Sequence, residues 1–467
     1  MQDGVQRKKS QMNNNCNTCN NNCTACEQQT ERVQFTKEMK KDYTILIPTM
    51  LTRHFKMITK LMGVYGYNVE LLENSSQEVI DSGLKYVHND TCYPALLVIG
   101  QFINAIESGK YDPHKLALLF TQTGGGCRAS NYIPLLRKAL AKAGYSYIPV
   151  ISLNFVGMEK NPGFKLTLPM LRRMMYAVTY GDMLMLLINQ TKPYEIEPGA
   201  AEALANEWTE KLANQLGKTK KLKYKLITDT YREIVRSFAA LPMKKEKKVK
   251  VGIVGEIFVK FSPLGNNDLE NFLISEGAET TMGGLVDFAL FYVCNEIADN
   301  KLYGTKKILS KVFKIAYRLL LKKQQDMIDA VREESDFRPF TSFEHTKSLI
   351  DGYIGIGAKM GEGWLLTAEM LEHLDSGVNN IVCVQPFGCL PNHIVGKGMM
   401  KPLKEKHPEA NIAAIDYDAS ASIVNQQNRL KLMLANARDI MNAEQEIADN
   451  TVEVENTVED SKEPSLV

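Results

Sequence analysis

The chain has 467 residues, a length typical of two to four domains. Its formal net charge of +2 argues against a dedicated nucleic-acid-binding protein, because such proteins carry a strong basic excess. The polar N-terminus has no apolar signal-peptide core, and the most apolar stretch, residues 168–187, is interrupted by Arg172, Arg173 and Asp182. We therefore expect a cytoplasmic protein without a membrane span.

The first 35 residues form an asparagine-rich leader with closely spaced cysteines. In a cytoplasmic chain, nine cysteines favour metal or redox roles over structural disulfides. The leader has the pattern C-x2-C-x3-C-x2-C, and thiolates at this spacing can bind one zinc ion or one cubane cluster. The alternative is a disordered leader whose thiols bind nothing. The four cysteines are Cys16, Cys19, Cys23 and Cys26.

From Tyr43 onward, apolar runs alternate with helical patterns, which predicts a parallel sheet with crossover helices. A methionine stripe in the mostly helical residues 165–240 is interpreted as core packing. The predicted strands are 44–48, 68–72, 116–120 and 145–153, and the predicted helices are 52–65, 75–83 and 95–106.

A proline followed by a charge run, at residues 241–248, indicates a linker, and a new strand begins at Val249. The second set of predicted strands is 249–256, 278–282, 380–385 and 411–417, with helices at 269–276, 284–335, 365–374 and 420–441. The predicted organisation is a leader (1–35), a first α/β domain with a helical extension (36–243), a second α/β domain (244–442) and an acidic disordered tail (443–467).

Three cysteines follow or border predicted strands in loops rich in Gly, Pro or Asn: Cys92, Cys127 and Cys389. Pro94 opens the helix after Cys92, and a thiolate at a helix N-terminus is stabilised by the helix dipole. Ligands of open parallel sheets bind beyond the carboxyl ends of the strands. We therefore predict that these loops converge and hold an iron–sulfur cluster.

Residues 43–438 resemble the 2-hydroxyacyl-CoA dehydratase subunits, the double-cubane cluster proteins and, most of all, the dehydratase-like part of activase-related proteins. The cysteine loops are the most specific part of the resemblance. The motifs that carry it are Asn89-Asp90-Thr91-Cys92-Tyr93-Pro94, the loop Gly124 to Tyr132, Gly255-Glu256 with Asn266, Gly361-Glu362-Gly363, the loop Pro386 to Ile394, and Asp416-Tyr417-Asp418.

The resemblance implies two flavodoxin-like, doubly wound parallel-sheet domains with helical insertions and a cluster in the interdomain cleft. It assigns Cys92, Cys127 and Cys389 as ligands of a [4Fe–4S] cluster, in a site that includes Gly125 and Gly126. A double cubane needs more thiolates, and Cys383 and Cys294 are the candidates for them. These five cysteines outside the leader fall short of six, so a double cubane would need another ligand or a leader cysteine, and the cluster type stays open. The apolar helical context of Cys294 favours a buried hydrophobic role instead.

The resemblance also implies a separate ATP-hydrolysing activase, itself a dimer, that supplies a low-potential electron. For this chain too we expect a dimer. The first hypothesis is an iron–sulfur reductase or electron-storage protein. The second is a component of a 2-hydroxyacyl-CoA dehydratase, which removes water from an acyl-CoA by radical chemistry. The third is a non-catalytic, metal-binding scaffold. The first two predict a brown protein and the third a colourless one.

Two histidines lie near predicted ligands, His88 beside Cys92 and His393 beside Cys389. Their loops lack the sequence of a nucleophile elbow, so a hydrolase is less attractive. His393 is a candidate for tuning the potential of a cluster, because polar groups near cluster sulfurs have that effect.

Overall fold

The protein is built on two four-stranded parallel sheets, each flanked by helices. The computed structural model describes residues 32–88, 90–122, 126–153, 159, 161–218, 222–305 and 307–460. The two sheets have equivalent strand orders: when the four strands of each sheet are numbered along the chain, both sheets have the order 2-1-3-4. Both orders follow the flavodoxin-like pattern, in which the first strand of each unit lies inside the sheet. The α/β class and the two parallel sheets predicted from the sequence are confirmed.

The central strands of the first sheet are apolar runs that are buried because helices cover both faces of the sheet. Its strands are β1 (Thr44–Pro48), β2 (Asn68–Leu72), β3 (Leu116–Thr121) and β4 (Val150–Leu153). The helices of this half are α1 (Met39–Asp42), α2 (Thr52–Val64), α3 (Gln77–Tyr86), α4 (Tyr93–Glu107), α5 (Tyr132–Lys142), α6 (Leu168–Thr191), α7 (Ala200–Lys218) and α8 (Tyr224–Ala239).

The second sheet begins after the linker and has the same construction. Its strands are β5 (Val249–Gly255), β6 (Ala278–Thr281), β7 (Asn380–Pro386) and β8 (Asn411–Tyr417). Its helices are α9 (Ile257–Phe261), α10 (Pro263–Asn266), α11 (Leu269–Ser275), α12 (Leu285–Tyr303), α13 (Lys307–Glu334), α14 (Phe343–Ser348), α15 (Trp364–Asp375), α16 (Met400–Lys406) and α17 (Ile423–Asp460).

A layer of long helices connects the two halves. Helices α6, α7, α8 and α13 share one apolar core, in which Met183 is fully buried. Met170, from the same helix, is buried in a second core against the first sheet. Helix α6 also contacts α12 and β6 of the second half. The predicted helical extension thus packs on both sheets.

Helix α4 is buried along most of its length, because it lies between α3 of its own sheet and α10 of the other. Leu97 of α4 and Leu264 of α10 belong to one continuous hydrophobic core. The two halves therefore share a packed apolar interface that includes α4.

Several boundaries differ from the sequence prediction. Strand β4 begins at Val150 and not at residue 145, because Pro149 has no N–H to donate and the Ile148 N–H closes a turn onto the Tyr145 carbonyl. The tail predicted to be disordered from residue 443 continues α17 as far as Asp460. No glycine or proline interrupts that stretch. None of the described helices combines the length and apolar composition needed to cross a membrane.

Candidate metal centre

The candidate site lies where the strand order reverses in each sheet. In this fold the reversal falls between β1 and β3 in the first sheet and between β5 and β7 in the second. The loop after β3 carries Cys127, and the loop after β7 carries Cys389. Glu256 directly follows β5. The topology therefore places two thiols and one carboxyl group at the positions where such sheets bind ligands.

Cys92 is the residue immediately before α4, and only 5% of it is exposed. Its Sγ lies 3.4 Å from the Tyr132 hydroxyl at the start of α5. Burial raises the pKa of Tyr132 well above its ordinary value. Because that hydroxyl stays protonated, it can donate a hydrogen bond to Cys92 when the sulfur carries a negative charge.

The loop that carries Cys389 lies directly on Cys92. The Tyr93 N–H donates to the Phe387 carbonyl over 2.9 Å. Gly388 has φ +70°, and a Cβ on it would come 3.0 Å from the Cα of Cys92. This approach requires glycine for both reasons. The two domains thus meet, backbone to backbone, at Cys92 and the residue before Cys389.

Cys127 lies near the loop that carries Cys389, and Gly361 is in contact with both. Cys127 caps a short 3₁₀ turn, Arg128–Asn131, whose Ser130 N–H and hydroxyl both donate to the Cys127 carbonyl. A Cβ on Gly361 would lie 3.9 Å from the Cβ of Cys127 and 3.0 Å from Cγ of Pro391. Since Pro391 is two residues beyond Cys389, the loops with Cys127 and Cys389 are neighbours.

The three thiols lie in a region of negative potential, where Cys92 and Cys389 are buried and Cys127 is partly exposed. Burial is the main cause that raises the pKa of each one, to about 11 for Cys127. Glu256 raises all three pKa values further, and Cys92 raises those of Cys127 and Cys389. In the absence of a cation, each thiol therefore keeps its proton at neutral pH.

Two buried carboxyl groups, Glu256 and Glu362, meet at the N-terminus of α9. The Val259 N–H donates to Oε2 of Glu256 over 2.9 Å, and the Ile257 N–H donates to Oε1 of Glu362 over 3.1 Å. Each residue is only 8% exposed. Burial, followed by the charge of Glu362, raises the pKa of Glu256 to about 8, and burial also raises the pKa of Glu362. The pair therefore holds a proton at neutral pH.

A buried ion pair lies behind these carboxyl groups. Lys260 Nζ is 2.8 Å from Oε1 of Glu369, and both residues are buried. A cavity of about 10 Å³, room for about one water molecule, is bordered by Glu362, Lys260 and Glu369. Burial is the largest cause that raises the pKa of Asp287 well above its ordinary value. The charges of Lys260 and Glu369 also affect this pKa, which shows that Asp287 lies near the ion pair. Glu362 thus belongs to the carboxyl pair and also borders this cavity.

The other predicted site residues lie elsewhere. Cys383 is fully buried inside β7, in an apolar core with α15 and α16, and Asn392 is its polar neighbour at 3.6 Å. Cys294 packs in another core beside Phe291 and Trp364. The structure therefore brings neither residue to the three-thiol group. Gly126 does lie there, with its N–H 3.2 Å from the Met360 sulfur.

Both histidines considered above are exposed. His88 Nδ1 is 3.4 Å from Asp90, and the His393 N–H donates to the Cys389 carbonyl over 3.2 Å. Gly125 and the leader cysteines Cys16, Cys19, Cys23 and Cys26 lie outside the described residues. Within the described ranges, no group of three or more His, Cys, Asp and Glu is arranged to hold a single metal ion.

Glu256 and Glu362 occur in two of the sequence motifs given above, but the sequence alone predicted no role for them. The signal that could have identified them is their position, since each acid stands beside glycine where a strand or turn ends. The chain matches no model of a known protein family and no curated protein sequence.

Proposed function

We propose that this chain is an iron–sulfur protein whose cluster is bound by Cys92, Cys127 and Cys389, and that the cluster accepts low-potential electrons from a separate ATP-hydrolysing activase for reductive chemistry. The observation that carries the proposal is that the loops bearing Cys92, Cys127 and Cys389, which come from both halves of the chain, are neighbours at the edge where the strand order reverses. The resemblance of these loops to the dehydratase-related proteins supports the choice of cluster and electron donor.

The donor set suits such a cluster. Thiolates are the ligands that iron–sulfur clusters require, and a bound metal deprotonates a coordinating thiol outright. The raised pKa values of the three thiols and of Glu256 describe a buried hollow with excess negative potential, which positive charge would relieve. When bound, the cluster supplies one-electron redox chemistry and an iron that can act as a Lewis acid.

The surrounding residues have roles of their own. The Tyr132 hydroxyl, 3.4 Å from the Cys92 sulfur, donates to that sulfur and raises the reduction potential of the site. Glu256 and Glu362 retain a proton near the thiols at neutral pH, so they are the proton donors of the site. The packed interface of α4 and α10 excludes water from its inner side.

A second candidate function is that of a 2-hydroxyacyl-CoA dehydratase component. The buried Glu256–Glu362 pair favours it, because elimination of water requires an acid that protonates the departing hydroxyl group. Turnover of 2-hydroxyacyl-CoA compounds by the holoprotein with an activase and ATP would separate this candidate from a reductase. Reduction of the protein by the activase without water elimination would favour the reductase.

The test is anaerobic purification followed by iron and sulfide quantitation and EPR spectroscopy. A background in which Cys16, Cys19, Cys23 and Cys26 are replaced by serine removes any metal bound to the leader. In that background we expect Cys127→Ala and Cys389→Ala to lose the bound iron, whereas the control Cys294→Ala retains it. Full iron occupancy in both variants would rule out these ligands, and a colourless parent protein would rule out the cluster.

A further inference from the structure

The first half of α13 presents an exposed apolar stripe, formed by Ile308, Val312, Ile315 and Leu319. These residues are 84%, 58%, 61% and 56% exposed, respectively. Their spacing of four, three and four residues is that of a coiled-coil seam. Single exposed apolar residues are common on proteins, but a continuous row of this kind marks an interaction surface. We call these four residues the α13 stripe.

The α13 stripe does not extend to the second half of the helix. There Met327, Ile328 and Val331 are buried in the core that α13 shares with α6 and α8. In the first half of this 28-residue helix, Tyr317 and Leu320 pack on another face, against the core formed by α12 and α15. Packing inside the chain therefore covers the second half and one face of the first half, but it leaves the α13 stripe exposed.

One flank of the α13 stripe is strongly basic. Four exposed cations follow the stripe along the helix, and we call them the basic row. Among the residues that the structure describes, none of the four forms an ion pair. The surface therefore suits a partner that is apolar along one line and acidic beside it. The basic row is Lys307, Lys311, Lys314 and Arg318.

A segment with that composition occurs in this chain. Residues 444–460, the end of α17, contain seven acidic residues and no lysine or arginine. Ile440, Ile447 and Val454 recur every seven residues in the sequence, the same heptad repeat that relates Ile308 to Ile315. The segment of 17 residues is roughly 25 Å long at 1.5 Å per residue, enough to cover the α13 stripe.

We propose that the α13 stripe and its basic row are covered by the acidic C-terminal helix of a second copy of this chain. The acidic helix end of the same molecule is a poor candidate for this partner. Helix α17 is continuous from Ile423 to Asp460 and has no glycine or proline at which it could turn back. The body of α17 is held on the second sheet, where Leu434 is buried and Arg438 donates to the Glu276 carbonyl. The acidic end therefore extends from a fixed base toward another molecule.

A basic amphipathic helix can also bind an anionic membrane surface. The heptad match and the opposite charge of α17 favour the protein partner, because a lipid surface requires neither. This proposal does not depend on the cluster or on its electron donor, so its test can fail or succeed independently of the proposed function.

The test uses light scattering on the full-length protein at low ionic strength. We expect the mass of two 52.5 kDa chains for the parent protein. Lys311→Glu with Lys314→Glu should reduce the mass to that of one chain, and so should Glu446→Lys with Glu453→Lys. The four changes together should restore two chains, because the charges are exchanged between the two helices.

The matched control is Lys401→Glu with Lys404→Glu on α16, which makes the same charge change at another exposed helix and should leave two chains. A monomeric parent protein would overturn the proposal, and so would a fourfold variant that stays monomeric. Dimers that survive either charge reversal would also overturn it. Flotation of a monomeric parent with phosphatidylserine vesicles, lost in Lys311→Glu with Lys314→Glu, would assign the surface to a membrane instead.

Discussion

Gly388, in the loop after β7, lies so close to the Cα of Cys92 that a side chain at this position would make an unusually tight contact. A Cβ at residue 388 would come 3.0 Å from that Cα and 3.3 Å from the Cys92 nitrogen. One residue earlier, the Phe387 carbonyl accepts the Tyr93 N–H. The position of Cys389 relative to Cys92 is therefore set by backbone contacts of the chain itself.

Replacing Gly388 by alanine should destabilise the protein and separate Cys92 from Cys389. We expect a loss of about 3 kcal/mol in the free energy of unfolding, from the positive φ together with the steric conflict. The control Gly109→Ala has a similar φ of +73° with nothing near its Cβ, and should cost about 1 kcal/mol. Urea unfolding measures both, and equal losses would show that the contact with Cys92 contributes nothing.

Glu256 should make the metal-free protein less stable as the pH rises. Its pKa is about 8 in the folded protein against an ordinary value of 4.5, so the folded state holds the proton more tightly. The resulting stability is complete below about pH 4.5 and is lost as the pH rises to about 8. Glu256→Gln keeps an acceptor for the Val259 N–H and should flatten the pH dependence of the melting temperature.

At about 1.4 kcal/mol per pKa unit, the shift from 4.5 to about 8 corresponds to a change on the order of 5 kcal/mol across that pH range. The exposed control Glu405→Gln removes the same charge without burial and should leave the pH dependence as it is in the parent protein. A Glu256→Gln variant whose melting temperature falls with pH as steeply as that of the parent would show that Glu256 ionises normally.

The thiols of the metal-free protein should react slowly and unequally with iodoacetamide. The thiolate is the reactive form, and burial raises the pKa of Cys127 to about 11 and that of Cys383 to about 12. Cys127 is partly exposed and should react first, with a rate that rises about tenfold per pH unit below its pKa. Peptide mass mapping would resolve each cysteine, and urea-unfolded protein is the control. Labelling of Cys383 as fast as Cys127 would contradict this order.

Breaking the buried Lys260–Glu369 pair should be costly. Lys260→Met leaves the Glu369 carboxylate buried without its partner, and we expect a loss of roughly 3–5 kcal/mol. Lys260→Met with Glu369→Leu removes both charges and should recover a large part of that loss. Urea unfolding of the two variants and the parent measures the difference. A double variant less stable than Lys260→Met would mean that Glu369 is not destabilised by the loss of Lys260.

The sequence predicted the strands well, because a strand of a covered parallel sheet is a short apolar run between turn residues. Residues 411–417 were predicted as a strand with the bounds that the structure has for β8. The three loop cysteines were also identifiable, because each stands at a strand or helix end among glycine, proline or asparagine. The end of α17 was not predicted, because an acidic composition does not by itself distinguish an exposed helix from a disordered tail.

Tertiary structure alone decided which of these residues meet. Cys383 and Cys389 are six residues apart, yet α15 and α16 bury the first in an apolar core while the loop after β7 carries the second to Cys92. Likewise, Glu256 and Glu362 are distant in the chain and share the N-terminus of one short helix. Local sequence determines where strands end and which side chains stand there. The packing of the two sheets on each other determines which of those ends share a site, because it depends on contacts between residues far apart in the chain.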